Sequence, residues 1–243
     1  MKKILLMGII LSIVFTQSNL RSTEIIQKSE SLFRGETYHG IFEMKVKTVD
    51  FDRSIKMETW AVGTEKSLIR IHSPKKEKGI GFLKVGTEMW QYLPKVRRTI
   101  KIPPSMMLAS WMGSDFSNDD LARESSLLED YNHKLLSSDN GIYSLELTPK
   151  PDAPVVWSKI IYQCDAESFV PLNEQYFDEN NEIVREMVYS DVKEMNNRQI
   201  PTVMTLTTPQ KPENKTQLIF HSIEYDIIID DDIFTMKNLK KRK

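Results

Sequence analysis

The chain has 243 residues, 40% hydrophobic and 28% charged, with 33 Lys and Arg against 34 Asp and Glu and a formal net charge of −1. That balance excludes a nucleic-acid binder recruited by bulk charge. The single cysteine, Cys164, excludes an internal disulfide, so stability must come from burial, and the length suffices for one sizeable core.

Residues 1–20 have the layout of a secretory signal: Lys2 and Lys3, a mostly aliphatic stretch from Ile4 to Phe15, then small and polar residues around Thr16, Ser18 and Asn19. The stretch is shorter than the roughly 20 apolar residues that span a bilayer. Cleavage near Ser18 removes two basic residues and no acidic one, which leaves a net charge of about −3. No cysteine follows the cut to carry a lipid. The expectation is an exported, unlipidated chain with one domain over 21–243.

A helix is expected over Ser22–Phe33, where Ile25, Ile26, Ser29, Leu32 and Phe33 fall at helical spacing, Ser22 or Thr23 can cap, and Gly35 stops the run. Period-2 alternation follows: Tyr38, Gly40, Phe42, Met44 and Val46 share one face, and His39, Glu43, Lys45 and Lys47 the other. Further strands are predicted at 54–62, 67–72, 79–85, 88–93 and 96–102, punctuated by Ser73-Pro74, Gly86 and Pro94. Helix is expected again over 103–129. Pro103 and Pro104 break the strand, 105–112 forms an apolar turn or two, and Ser117 to Asp120 has capping-box spacing before Leu121. A third set begins near Lys134, with strands at 141–148, 157–165, 170–176, 182–193, 203–208 and 215–225. Asp139-Asn140-Gly141 and Asp178-Glu179-Asn180-Asn181 mark hairpins.

Consecutive strands with short turns make an antiparallel meander, and a sheet of more than about ten strands curls. The fold class expected is therefore mainly β: one curled antiparallel sheet forming an incomplete β-barrel, with about three helices covering its concave face. Helices that fill the concavity leave plain core; helices that only roof it leave a cavity.

Methionine is unbranched and polarizable, so Met106, Met107 and Met112, with Trp111 and Phe116, suit a lid over an apolar ligand of variable shape. Trp60, Phe82, Trp90 and Tyr92 are the matching wall candidates. For each of these residues ordinary core is the competing reading. Lys95 and Arg97 alternate with Lys101 along one predicted strand, and Arg98 faces the other way; these suit anionic headgroups or an acidic partner as well as a solvated strand edge.

No catalytic group stands out. His39, His72, His133 and His221 lie on different predicted elements without metal-site spacing, and Cys164 sits in an apolar strand run as a buried thiol. Asp226, Asp230, Asp231 and Asp232 lack the calcium-loop spacing and its glycine. A phosphate loop and a nucleophile elbow are both missing. No metal, cofactor or enzymatic activity is expected.

Several segments carry a family resemblance. They are Arg34-Gly-Glu-Thr37 after the opening helix, the stretch from Ser73 to Phe82, Met89-Trp-Gln-Tyr-Leu-Pro94 with Arg97 and Arg98, Met112-Gly-Ser-Asp-Phe-Ser117 running to Asp120-Leu121, and Asp230-Asp-Asp-Ile-Phe234. Together they resemble the LolA-like outer-membrane lipoprotein-sorting family over nearly the whole mature chain. The resemblance implies a helix-roofed incomplete barrel and a periplasmic carrier that shields lipid or the acyl chains of lipoproteins for transfer toward the outer membrane. It further implies a monomer whose candidate partners are an inner-membrane transporter and an outer-membrane acceptor. The alternative is a lipid-binding sensory or scaffolding module of an envelope or export complex, since a related fold serves as a sensor domain.

Overall fold

The computed structural model describes residues 21–33, 35–122 and 126–241. The expected export signal at 1–20 lies outside them, as do Arg34 and residues 123–125 of the expected helix. The opening helix, α1 (Ser22–Phe33), buries Ile25, Ile26 and Ser29, the stripe its spacing marks.

Among the described residues thirteen antiparallel strands form one sheet. Six precede the central crossover: β1 (Thr37–Lys47), β2 (Asp52–Val62), β3 (Lys66–Ser73), β4 (Gly81–Val85), β5 (Glu88–Leu93) and β6 (Arg98–Ile102). Seven follow it: β7 (Tyr131–Asp139), β8 (Ile142–Pro149), β9 (Lys159–Asp165), β10 (Pro171–Phe177), β11 (Ile183–Met195), β12 (Arg198–Thr208) and β13 (Lys211–Tyr225). Each group is a meander, and the two are joined where β1 pairs with β13, from Tyr38 opposite Tyr225 to Lys47 opposite Lys215. The sheet stays open, with β6 and β7 as its edges.

Local chemistry accounts for the hairpins. Asn140 and Gly141 have φ of 53° and 75°, and Asn196 and Asn197 have 50° and 61°. Two successive left-handed residues give the backbone twist that matches flanking strands, and Asn and Gly tolerate it best. Along β1 burial alternates, so Tyr38, Phe42, Met44 and Val46 point to the core. Burying each such side chain stabilises by about 1.5–3 kcal/mol.

The sheet curls strongly. Ile69 on β3 and Tyr162 on β9 line one cavity, although seven steps of the strand order separate them. On a flat sheet that separation is roughly 34 Å.

Two expectations are corrected. The segment at 103–129 is not a helix with a turn or two before it. It is a strap that leaves edge β6 and returns at edge β7, with a 3-10 turn at Pro104–Met106 and two short helices, α2 (Asn118–Ala122) and α3 (Leu127–Asp130). Pro103 and Pro104 withhold donors, and Met112 and Gly113 take φ of 50° and 76°. The Ser114 hydroxyl donates to the Trp111 carbonyl at 2.7 Å, a local bond that competes with helix. An isolated bridge between Ser110 and Ser117 closes the loop. The second correction is β7 itself, a strand from Tyr131 that the predicted spans lack.

The last described element, α4 (Met236–Leu239), follows a 3-10 turn at Asp231–Phe234 and lies on the other face of the sheet. There Phe234 and Leu239 pack with Leu68, Leu83 and Tyr92 as a second buried cluster. Among the described residues no helix is long and apolar enough to cross a membrane.

Candidate functional site: a roofed apolar cavity

Inside the curl lies a cavity of about 200 Å³. One water needs roughly 10–15 Å³ of such space, so the protein's own side chains do not fill the interior. Three layers enclose it: Ser29 and Phe33 from α1, Phe116 and Leu121 from the strap with Leu127 of α3, and sheet residues including Phe42, Met57, Met187 and Leu218. Phe42 and Phe220 meet edge to face at 4.9 Å and fix part of the wall.

The strap is fastened to the sheet by polar bonds. Arg185 on β11 donates from Nη1 and Nη2 to the two carboxylate oxygens of Asp120 on α2, both at 3.0 Å. The same carboxylate accepts from the backbone and hydroxyl of Ser117 at 2.7 and 2.8 Å, so the capping box read in the sequence also orients the acid toward the arginine. The guanidinium stacks over the Tyr176 ring at 4.7 Å and the Trp157 ring at 5.5 Å. Burial is the largest single influence and disfavours its charge, but the attraction and hydrogen bond of Asp120 together with the attraction of Tyr176 and Glu174 outweigh it, and the net shift favours the charged form. A second tie joins Asp115 to β13: the Thr216 hydroxyl donates to Asp115 Oδ2 at 2.6 Å and accepts from the Asp115 backbone N–H at 3.1 Å.

A polar cluster sits within this apolar lining. Glu174 on β10 is 4% exposed and accepts from the hydroxyls of Tyr189, at 2.6 Å, and Tyr176. Burial pushes its carboxyl above the ordinary carboxylate range, against the opposing pull of the two phenol donors. Ser29 of α1 donates its hydroxyl to the Phe169 carbonyl at 2.5 Å and accepts from Tyr162 at 2.5 Å.

Of the residues singled out in the sequence, Phe116 lines the cavity. Trp111 is fully buried in the main core with its ring 5.2 Å from Phe82, where it seats the strap. Met107 and Met112 pack partly buried against the same core, and Met106 is 51% exposed. Trp60, Trp90 and Tyr92 stand on the opposite face. The register sets Trp60, Leu68, Leu83 and Trp90 in one cross-strand row, whereas the neighbouring row Thr59, Ile69 and Phe82 faces inward. Their aromatic bulk packs with the cluster that α4 covers. Lys95, Arg97 and Arg98 are exposed at the turn into β6.

The residues that tie and polarise the cavity, Arg185, Glu174, Tyr176, Tyr189 and Ser29, were not singled out in the sequence. Their signal is a parity one: Glu174 shares the period-2 face of Tyr176, and Arg185 that of Met187 and Tyr189, so each puts a charge on an apolar face. The histidines gain context too. His39 and His72 flank Glu58 at 3.0 and 2.8 Å on the outer face, with His39 stacked on Trp60.

An open, curled antiparallel sheet whose concave side is roofed by a helix and a strap over an apolar cavity is a LolA-like fold. The family model described as an uncharacterized protein matches residues 63–241, and the chain belongs to that family. No curated protein matches it. Among solved structures, a LolA superfamily protein from Nitrosomonas europaea is 20% identical with a TM-score of 0.75, covering 90% of this chain and 99% of that one. A DUF1329 family protein from Desulfovibrio piger is 20% identical with a TM-score of 0.80, over 90% and 97%. A provisionally assigned outer membrane lipoprotein-sorting protein domain from Vibrio parahaemolyticus is 22% identical with a TM-score of 0.77, over 90% and 98%.

Proposed function

We propose that the chain is a periplasmic carrier that shields lipid, or the acyl chains of a lipoprotein, in the roofed cavity and hands them on toward the outer membrane. The observation that carries this reading is the unfilled apolar space between the concave face, α1 and the strap. Each methylene removed from water stabilises the complex by about 0.8 kcal/mol, so hydrocarbon is held without a charged contact. The lipoprotein-sorting name of the Vibrio parahaemolyticus structure points the same way. Phe116, Phe33, Met57 and Met187 are the proposed acyl contacts, with Met106 and Met107 at the strap entrance. Exposed Lys95, Arg97 and Arg98 are proposed to meet headgroups or a partner. The folded unit is residues 21–243 after loss of the export signal, working without cofactor or catalytic step.

Release requires the roof to move, and the strap-to-sheet ties Asp120–Arg185 and Asp115–Thr216 must break for it to do so. The test is mass spectrometry of organic extracts from protein purified out of its native envelope, followed by transfer of labelled lipid between two vesicle populations. A bound lipid enriched over an unrelated periplasmic control, and protein-dependent transfer, are expected. Consistent absence of bound lipid overturns the proposal.

A further inference from the structure

The polar cluster in the cavity wall has its protons committed internally. Tyr176 and Tyr189 donate to Glu174, Tyr162 donates to Ser29, and Ser29 donates to the Phe169 carbonyl. Each hydroxyl has one proton and two lone pairs, and a carboxylate has only acceptor sites. The four donors are therefore used up, and what the cluster still offers toward the cavity is acceptor capacity and the negative charge of Glu174. Among the described residues the lining includes no lysine, arginine or histidine. Arg185, which approaches from the neighbouring wall, is engaged bidentately by Asp120.

Among the described residues the lining carries the carboxylates of Glu30, Asp119 and Glu174 and no cation, so an anionic group there meets like charge without a counter-charge, and a buried charge left unpaired is costly. A donor finds a ready partner in a desolvated site, where a hydrogen bond to a charged acceptor is strong. Resting on the carrier reading above, we infer that the cavity selects amphiphiles whose polar group donates hydrogen bonds, an amine or a hydroxyl, and rejects those ending in carboxylate or phosphate, with Glu174 as the specificity-determining residue. The phenols of Tyr176 and Tyr189 are positioning residues that hold the carboxylate facing the cavity.

The experiment uses the mature protein loaded with a fluorescent acyl probe and displaces the probe with dodecylamine, dodecan-1-ol and dodecanoate, which share one alkyl chain. Dodecanoate is expected to bind at least about tenfold more weakly than the amine, the equivalent of one charge-assisted hydrogen bond. Glu174→Gln turns one acceptor into a donor, and the amine-to-carboxylate preference should fall by a similar factor while alcohol binding changes least. Equal binding of all three ligands by the unaltered protein overturns the selectivity inference and leaves the carrier reading standing. A preference that persists undiminished in a folded Glu174→Gln protein, checked by circular dichroism, overturns the role of Glu174. Binding of none of the three overturns the carrier reading and this inference with it.

Discussion

Arg185 and Glu174 are both buried charges, yet they are compensated in opposite ways. Arg185 has a full counter-charge in Asp120 and stays ionised; Glu174 has two phenol donors and a lesser attraction from Arg185, and burial outweighs them and raises its pKa. Removing one partner of a buried pair leaves the other uncompensated, typically a loss of 3–5 kcal/mol. Arg185→Ala should therefore lower unfolding free energy by about that much in a urea titration. The double change Asp120→Ala with Arg185→Ala should recover part of the loss, and strict additivity would show that the two are not coupled.

The pH signature of Glu174 follows from its raised folded value. Between the unfolded carboxyl pKa, about 4.3, and the folded one, the native state holds more protons than the unfolded state, so this group makes the wild type lose stability as pH rises. Glu174→Gln lacks that term. Its stability relative to wild type should rise with pH across the window and stay level below it, as read from denaturant curves at several pH values. A flat difference throughout would mean that Glu174 is not buried as charged.

At the scale of elements, the strap and the C-terminal helix do opposite jobs on the two faces of the sheet. The strap covers the cavity side and is anchored by Trp111 in the core and by polar ties at Asp115 and Asp120. α4 covers the outer side, where Leu239 is 1% exposed and reaches within 2.8 Å of where a side chain on Gly81 would begin. A side chain at 81 would therefore make the Leu239 terminal methyl shift. Leu239→Ala leaves a cavity on that outer face and should cost about 2–5 kcal/mol of stability in denaturant titration. Because the cavity wall is the opposite face, acyl-probe affinity should be unchanged in the folded variant. A loss of binding without unfolding would place α4 in the ligand path.

Over the whole molecule, the topology makes the roof unavoidable. Each meander pairs strands in chain order, and the β1–β13 contact brings the two meanders side by side, which leaves β6 and β7 at far edges although they are successive strands. The chain between them has to cross the molecule. On a curled sheet the short way is over the mouth of the curl, where the segment from Pro103 to Asp130 lies with Phe116, Leu121 and Leu127 turned into the cavity. A roofed cavity thus arises from connectivity and curvature together.

Much of the architecture was legible from alternation and turn chemistry. The turn at Asn140-Gly141 and the strand after it, the alternating β1 and the amphipathic α1 follow from short-range rules that residues in sequence impose on one another. The helical reading of 103–129 gave way because Trp111 and Phe116 gain more from insertion into a core built by distant strands than from continuing a helix. The cavity wall was misassigned to Trp60, Trp90 and Tyr92 because period 2 separates the faces of a strand without saying which one turns inward; with α4 on the outside, both faces carry apolar rows. By itself the sequence determined all the strands but β7, their turns and the single curled sheet, since these depend on neighbours along the chain. Only the tertiary structure decided that Glu174, Ser29 and Asp120 meet around one cavity, because the pairing of β1 with β13 and the curl that follows bring together residues as far apart as 29 and 174.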